Sequence, residues 1–335
     1  MLFESIKIKG LTAKNRIVMP PMCQYQAKDG LANDWHFIHY CSRAVGQVGT
    51  IIIEATAVEP RGRISMNDLG LWNNNQTEPL KRIVDYCKGF GALVGIQLAH
   101  AGRKSQVKNE SIVAPSAVRF SDKFPIPQEL TVSEIAAITR KFAEAAHRAG
   151  KAGVDFVEIH GAHGYLISEF LSRVTNNRTD IYGQNREQFL KEVILAVKQA
   201  LPREMPIFVR VSGEEYHPAG NHPEDLARLL NPIKNLFEVL HVSSGGIYEK
   251  ETYDIYPAYQ LEFATKLKEL LGLTTIAVGR LEKPLIAEEA LQNGKADMIA
   301  VGKGLLSDSH WPLHAAKTLN FEISWPESYI RAKVL

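Results

Sequence analysis

The sequence predicts an α/β protein built as a (β/α)8 barrel, or TIM barrel, in which residues 1–335 form a single domain. Three observations support this prediction. Short apolar segments rich in β-branched residues recur along nearly the whole chain, helical periodicity fills the stretches between them, and polar residues gather where the apolar segments end. Continuous apolar runs of this length are typical of parallel strands that are buried on both faces.

Each apolar segment is bounded by Gly, Pro or Asp, which sets its limits. The eight predicted barrel strands are Arg16–Met19, Thr50–Glu54, Leu93–Leu98, Phe156–His160, Ile207–Val211, Val239–Val242, Thr275–Val278 and Asp297–Val301. The clearest predicted helices are Val132–Ala149, Gln188–Ala200, Tyr259–Leu271 and Pro284–Asn293. The last of these has a proline near its first turn and Gly294 after its end, which are common start and stop signals.

A doubly wound open sheet is the alternative architecture for strands that alternate with helices. Such a sheet, when it binds a dinucleotide, carries G-x-G-x-x-G directly after its first strand. The nearest similar string, Gly89-Phe90-Gly91 with Gly95, precedes a strand and has the wrong spacing. The closed barrel is therefore favoured.

Three segments fall outside the regular alternation. Ser5–Lys9 and Lys14–Arg16 flank a turn at Gly10-Leu11, which predicts an N-terminal hairpin that closes the bottom of the barrel. The βα loops carry two insertions, Ala101–Leu130 after the third strand and Ser168–Asn185 after the fourth. Both are too long for plain connections, and loops on this side of a barrel carry function.

Composition excludes several classes of protein. The chain is 45% hydrophobic with a formal net charge of +2, so no electrostatic feature indicates nucleic acid or an anionic membrane as a partner. Its apolar runs are strand-sized, and Met1–Lys9 lacks the long apolar stretch of a signal peptide, which favours a cytoplasmic protein. The three cysteines are widely spaced and form no CxxC pair, so neither a zinc site nor any other metal site is predicted.

The last two predicted strands end alike, in Gly279-Arg280 and Gly302-Lys303. The loops after the seventh and eighth strands form the usual phosphate site of this fold. Glycines let backbone N–H groups approach an anion, and Arg280 or Lys303 adds a charge-assisted contact. Tight turns with surface cations are the alternative, but two such turns side by side favour phosphate.

The string His160-Gly-Ala-His163-Gly-Tyr165 follows the fourth strand. Residues three apart on a strand point to opposite faces, so both imidazoles share a pocket only if the chain bends after His160, which Gly161 and Gly164 permit. Two imidazole N–H groups would then hold a carbonyl oxygen that gains negative charge, and the Tyr165 phenol would deliver a proton to carbon. A metal site is disfavoured because the last strand ends in glycine rather than a carboxylate. A structural pair of histidines remains the alternative.

Two further polar residues lie on predicted strands. Arg210 ends a buried strand and requires a partner, which is either a flavin that becomes anionic on reduction or a structural ion pair. Gln97 offers a donor and an acceptor together, which suits the pyrimidine edge of an isoalloxazine ring, although a lone glutamine is more often a satisfied core amide.

Taken together, these strings resemble the old yellow enzyme family, specifically its bacterial subclass with a cysteine beside the flavin. The resemblance covers essentially the whole chain. Its most specific pieces are Pro21-Met22-Cys23-Gln24-Tyr25, Gly46-Gln47-Val48-Gly49, Ile96–Lys104, Glu158–Leu166 and Asn177-Arg178-Thr179-Asp180.

The resemblance implies noncovalent FMN at the barrel mouth. The residues that match positions around the flavin ring are Pro20, Pro21, Met22, Cys23, Ala55, Gln97 and Arg210, and those that match the phosphate loops are Gly279, Arg280, Gly302 and Lys303. The residues that match the substrate site are His160 and His163 for the substrate oxygen, Tyr165 for the proton, and Tyr25 above the pocket. Arg331 matches an arginine that enters a neighbouring subunit's pocket, which implies a homodimer or a dimer of dimers.

The implied activity is that of an FMN-dependent NAD(P)H oxidoreductase, an ene reductase. It reduces the activated C=C bond of enones, enals or nitro compounds by hydride transfer from flavin N5 and proton transfer from Tyr165. NADPH or NADH is the reductant, and four cations in the third-strand insertion would favour the 2′-phosphate of NADPH: Arg103, Lys104, Lys108 and Arg119. The alternatives are a flavin-binding barrel with a different oxidoreductase substrate and one with little catalytic turnover. The chain departs from the family pattern at Lys303, where an arginine is usual, and in the shortened segment 182–186.

Overall fold

Eight parallel strands close into a barrel in the computed structural model, which describes residues 1–334. The strands in chain order are β1 (Ile6–Ile8), β2 (Leu11–Ala13), β3 (Ile17–Met19), β4 (Thr50–Ala57), β5 (Leu69–Gly70), β6 (Leu93–Ala99), β7 (Val113–Ala114), β8 (Gln128–Glu129), β9 (Phe156–Gly161), β10 (Ile207–Ser212), β11 (Val239–Ser243), β12 (Thr274–Ala277) and β13 (Met298–Ala300). The barrel consists of β3, β4, β6 and β9–β13, and β13 pairs with β3 through Ile299 and Ile17 to close it. The (β/α)8 prediction is therefore confirmed.

Helices connect the strands around the outside of the barrel. In chain order they are α1 (Asp34–Val45), α2 (Thr77–Gly89), α3 (Val132–Lys151), α4 (Leu166–Leu171), α5 (Ile181–Gln184), α6 (Gln188–Ala200), α7 (Pro223–Leu230), α8 (Leu261–Leu271), α9 (Pro284–Gln292), α10 (Lys303–Ser307) and α11 (Trp311–Thr318). None of the helices among residues 1–334 is long and apolar enough to cross a lipid bilayer.

The helix α3 shows how the sequence fixes these elements. Thr131 caps its N-terminus in a capping box with Glu134, which satisfies backbone N–H groups that would otherwise lack partners. Ile135, Ile138 and Phe142 are spaced three and four residues apart and are fully buried against the barrel. Burying each such side chain contributes about 1.5–3 kcal/mol to folding. The apolar periodicity therefore determines which face of the helix packs on the sheet.

The N-terminal hairpin is confirmed, but the prediction placed its second strand wrongly. The second strand is Leu11–Ala13 rather than Lys14–Arg16, and the turn lies at Lys9-Gly10, where Lys9 has a φ of +51°. Lys14 is not available for the hairpin because its ammonium donates to Gln47 Oε1 and to a backbone carbonyl. The segment 14–16 instead leads directly into β3.

The hairpin seals one end of the barrel, as predicted. Its residues Ile8 and Ala13 belong to a buried cluster with side chains from the amino ends of the strands, including Ile52, Phe156 and Phe208. The rings of Phe156 and Phe208 stack with centroids 4.0 Å apart inside the barrel. The interior at the bottom of the barrel is therefore largely apolar and is covered by the hairpin.

Candidate active site

The segment after β3, residues 20–25, is fastened to the neighbouring strand by the side chain of Glu54. Glu54 Oε2 accepts a hydrogen bond from the Gln24 backbone N–H at 2.7 Å, and Oε1 accepts one from the Tyr40 hydroxyl at 3.0 Å. The hydroxyl also accepts from the Glu54 backbone N–H at 2.9 Å, so α1 and β4 are joined at this point. Burial raises the pKa of Glu54 to about 7.

Cys23 and Tyr25 are carried by this anchored segment. The Cys23 thiol interacts with the Ala55 backbone and the Tyr25 hydroxyl, and burial together with the charges of Asp68 and Glu54 raises its pKa far above the usual value. It is therefore a neutral thiol rather than a reactive thiolate. Tyr25 has a φ of +54° and leaves 49% of its surface exposed, so its ring is available at the mouth.

A buried carboxylate organises the interior directly below the mouth. Glu158 Oε1 accepts a hydrogen bond from Gln97 Nε2, and its Oε2 contacts His241 Nδ1, both at 2.7 Å. All three side chains are essentially inaccessible to solvent. No role for Glu158 or His241 was predicted from the sequence. Side chains alternate along a strand, however, so Glu158 and His160 lie on the same face of β9.

Arg210 enters the same region from β10, opposite His160 on β9 and His241 on β11 in the strand register. Only 7% of its surface is exposed, and its Nε has no hydrogen-bond partner among the described residues. Burial lowers the pKa of Arg210, but a guanidinium remains charged at neutral pH. A buried cation with an unsatisfied donor fits a hydrogen-bond acceptor or an anion placed at the barrel mouth.

The two imidazoles of the His160–Tyr165 string lie close together. The chain bends after β9, where His163 has a φ of +59° and Gly164 one of +66°, and the rings of His160 and His163 are 5.2 Å apart. Burial, followed by the charge of Arg210, lowers the pKa of both histidines well below the usual value, so both are neutral. The Ala162 backbone N–H donates to His160 Nδ1, which leaves the proton of this ring on Nε2.

Tyr165 lies beside this pair, with its ring centroid 5.1 Å from that of His160. It is the N-cap residue of α4 and has an extended backbone conformation. Burial raises the pKa of its phenol far above the ordinary value, so the hydroxyl keeps its proton at neutral pH. The structure therefore brings together two neutral imidazoles and one protonated phenol.

Gly279 and Gly302 lie in the loops after β12 and β13, and of these two only Gly279 has a positive φ. Gly279 has a φ of +109°, and a Cβ there would lie 2.8 Å from Gln260, so only glycine fits. Gly302 lies beside the 20–25 segment, with its nearest neighbours on Met22 and Pro20. The Arg280 guanidinium pairs with Glu282 at 2.7 Å, whereas Lys303 is exposed.

Other cations occupy positions that differ from the sequence-based expectation. Arg103 is buried, and its guanidinium donates to the backbone oxygens of Val118, Arg119 and Ile247, so it is not available to a 2′-phosphate. Arg331 is exposed in the 3-10 helix Glu327–Val334, where Tyr329 packs on His310. The prediction that Arg331 enters a neighbouring subunit's pocket stays a prediction.

A parallel barrel with these polar groups at the carboxyl ends of its strands defines a flavin-dependent oxidoreductase. The unsatisfied Arg210 Nε, the oriented Gln97 amide and the open glycine loops fit a flavin ring and its phosphate. Residues 1–322 match the family described as the NADH:flavin oxidoreductase / NADH oxidase family. The chain belongs to this family, the old yellow enzyme family, and it is an FMN-dependent enzyme.

Individual relatives agree with this assignment. The chain is 46% identical over 337 residues to the NADPH dehydrogenase of Geobacillus thermodenitrificans, covering 99% of this chain and 98% of the relative. It is 44% identical over 336 residues to that of Bacillus subtilis, covering 98% of each chain. A solved structure of morphinone reductase in complex with tetrahydroNAD has a TM-score of 0.81 and 26% identity, and the match covers 97% of this chain and 92% of that one.

Proposed function

We propose that this protein is an ene reductase that takes reducing equivalents from NADPH, or from NADH, and reduces the activated C=C bond of α,β-unsaturated carbonyl or nitro compounds. The observation that carries the proposal is the cluster of three neutral donors, with the His160 ring 5.2 Å from His163 and 5.1 Å from Tyr165. The relatives named NADPH dehydrogenase support NADPH as the reductant.

The cofactor supplies the redox chemistry, and the chain holds it. When bound, FMN would supply the hydride-transfer chemistry between the nicotinamide and the substrate. The residues that would surround its ring are Pro20, Pro21, Met22, Cys23, Ala55, Gln97 and Arg210, and those that would hold its phosphate are Gly279, Arg280, Gly302 and Lys303. Cys23 would contribute a neutral thiol beside the ring, as in the bacterial subclass that the sequence resembles.

His160 and His163 bind the oxygen of the substrate. Because both imidazoles are neutral, they donate hydrogen bonds without transferring a proton to the oxygen. These hydrogen bonds strengthen as negative charge builds up on the oxygen, which favours the transition state over the bound substrate. The fixed charge of Arg210, buried nearby, acts in the same direction.

Tyr165 delivers the proton to the α carbon of the substrate. Its O–H bond breaks as the new C–H bond forms, and water later returns a proton to the tyrosinate. The raised pKa of the phenol keeps the proton in place until a carbanion-like centre develops next to it. Tyr25, exposed at the mouth, contributes a second phenol above the bound substrate.

We also infer a cytoplasmic homo-oligomer, a homodimer or a dimer of dimers. Cys23, Cys41 and Cys87 are free thiols, which suits a reducing compartment. Tyr329 and Ile330 leave 42% and 56% of their surfaces exposed next to Arg331. A partner subunit that covered these apolar side chains would contact the segment that carries Arg331.

Coupled turnover under anaerobic conditions tests the proposed function. With cyclohexenone present, each mole of NADPH oxidised should yield one mole of cyclohexanone. If NADPH reduces the flavin but neither enones, enals nor nitroalkenes reoxidise it without oxygen, the protein is an oxidoreductase with a different acceptor.

A further inference from the structure

The ammonium group of Lys104 lies among four groups of the active site. It donates hydrogen bonds to the backbone oxygens of His163 and Gly246, at 2.9 and 3.0 Å. It also faces two aromatic rings, with its Nζ 5.0 Å from the ring centroid of Tyr165 and 4.4 Å from that of Phe120. Lys104 therefore connects the loops after β9 and β11 with the insertion that follows β6.

We propose that Lys104 is a positioning residue that holds both His163 and Tyr165 in place for protonation of the substrate. The proposal rests on the ene reduction proposed above. It assigns to this lysine a fixed charge inside the site instead of contact with a nicotinamide 2′-phosphate. Lys108, four residues further along the same insertion, is exposed and remains available at the surface.

The backbone of His163 requires such a restraint. A residue other than glycine with a φ of +59° is held there only when its surroundings determine its position. The His163 N–H donates to Ser212 Oγ at 2.9 Å, its Nε2 contacts Ser243 Oγ at 2.8 Å, and Lys104 holds its carbonyl oxygen. Gly246 closes the other side, because a Cβ there would lie 2.5 Å from the His163 backbone.

The ring of Tyr165 is restrained from two directions. His160 contacts it edge-on, and the Lys104 ammonium lies over its face, an arrangement that is electrostatically favourable. The same ammonium lies over Phe120, so it also orders the part of the insertion nearest the mouth. Loss of the charge removes both cation–π contacts at once, and the phenol then samples more orientations.

The charge of Lys104 depends on the groups around it. Burial lowers its pKa to about 8, Glu251 and Glu169 oppose this shift, and Arg103 reinforces it. Burial also raises the pKa of Glu169 to about 8, so Glu169 gains its charge over the same pH range. Glu251 belongs to the loop after β11 and accepts a hydrogen bond from the Gly246 N–H, and Glu169 lies on α4. The uncharged groups that face it are Tyr165 and the neutral imidazoles of His160 and His163. Proton transfer from Tyr165 should therefore weaken as the pH rises through about 8.

The test compares Lys104→Met, which removes the charge but keeps an unbranched chain, with Lys104→Arg, which keeps the charge. Lys123→Met, at an exposed lysine of the same insertion, is the matched control. Stopped-flow experiments with the FMN-loaded protein time flavin reduction by NADPH and reoxidation by cyclohexenone separately. We expect Lys104→Met to slow reoxidation by about 10- to 100-fold, the loss typical of a misplaced catalytic group, and to slow flavin reduction less. Lys104→Arg should recover part of this loss.

The pH profile distinguishes this role from a purely structural one. The reoxidation rate of the wild type should fall above about pH 8, and this fall should be absent in Lys104→Met and present in Lys123→Met. A Lys104→Met protein with the wild-type reoxidation rate and the wild-type pH profile would overturn the proposal.

A second measurement does not depend on ene reduction. Binding of p-hydroxybenzaldehyde, followed by the long-wavelength absorbance of its complex with the flavin protein, reports the arrangement of the oxygen-binding pair. We expect at least about 10-fold weaker binding in Lys104→Met, by the same loss of placement. If cyclohexenone fails to reoxidise the wild-type flavin, the proposed function is wrong. The binding data alone then decide whether Lys104 positions the oxygen-binding pair. Unchanged binding would then refute its role. If Lys104→Met does not fold, Lys104→Gln, which also lacks the charge, replaces it, and unchanged binding in that variant would likewise refute the role.

Discussion

Gln97 Nε2 donates a hydrogen bond to Glu158 Oε1 at 2.7 Å, between residues that are direct partners in the register of β6 and β9. A carboxylate only accepts hydrogen bonds, so the amide is fixed with its nitrogen toward Glu158. The amide oxygen and the second N–H are then directed at other groups in a defined orientation. Glu158 thus determines how Gln97 would present its amide to FMN at the proposed site.

Replacing Glu158 by glutamine tests this arrangement. Glu158→Gln keeps the shape of the side chain, but it replaces one of the two accepting oxygens by an NH₂ group. Gln97 and His241 then no longer each face an accepting oxygen. We expect the free energy of unfolding to fall by about 1–3 kcal/mol, the cost of leaving a buried polar group unsatisfied. Urea unfolding at a fixed FMN concentration measures it, with the exposed Glu204→Gln as control. Equal stability of both variants would contradict the structural role of Glu158.

The purified protein should be yellow and should release one FMN per chain on denaturation. Lys303→Arg should bind FMN at least as tightly as the wild type, because a guanidinium offers a phosphate two parallel hydrogen bonds. Lys303→Met should bind it more weakly. Fluorescence of released FMN gives the dissociation constants. Weaker binding by Lys303→Arg, or recovery of FAD instead of FMN, would refute the assigned role.

His160→Ala and His163→Ala should weaken the binding of phenols, while reduction of the flavin by NADPH survives in part. In the wild type, p-hydroxybenzaldehyde should give a long-wavelength charge-transfer band because the imidazoles hold its phenolate oxygen. Titration of each variant with the phenol measures the loss. Full band intensity at low phenol concentration in both variants would show that these histidines are not the oxygen-binding pair.

Tyr165→Phe should separate proton transfer from binding. Reoxidation by cyclohexenone should slow by about 10²–10⁴-fold, the usual contribution of a general acid. Flavin reduction needs no phenol proton and should change much less. Maleimides and nitroalkenes should be affected least, because their carbanions persist until water protonates them. An unchanged rate with cyclohexenone would leave Tyr25 or solvent as the proton source.

The buried carboxyl of Glu54 should make stability depend on pH. Its pKa rises from 4.5 to about 7 in the folded state, so the folded protein holds a proton that the unfolded chain releases. This stabilisation is complete below about pH 4.5 and is lost as the pH rises to about 7. Glu54→Gln does not titrate, so its free energy of unfolding relative to the wild type should rise by about 3 kcal/mol across that range. Urea unfolding at several pH values measures the difference, and a constant difference would contradict the shift.

The strands were predictable because each is a continuous apolar run, and burial on both faces requires such runs. The end of β4 was not predictable from the sequence. The strand reaches Ala57 rather than Glu54, because its register with β6 shifts between Ile53 and Thr56. This irregularity has no signal in the sequence. The pairing of His160 and His163 followed from the glycines that permit a bend. Burial of Arg103 could not be predicted, because its three carbonyl partners come from segments distant in the sequence.

The closed bottom of the barrel has a consequence for the order of events. The hairpin of β1 and β2 covers the amino ends of the strands, so we expect the nicotinamide and the substrate of the proposed reaction to enter and leave at the carboxyl ends. In the proposed reaction both would use the space above the flavin, so one would have to depart before the other binds. Each should therefore act as a competitive inhibitor of the other at high concentration, and double-reciprocal plots of the initial rates should be parallel lines.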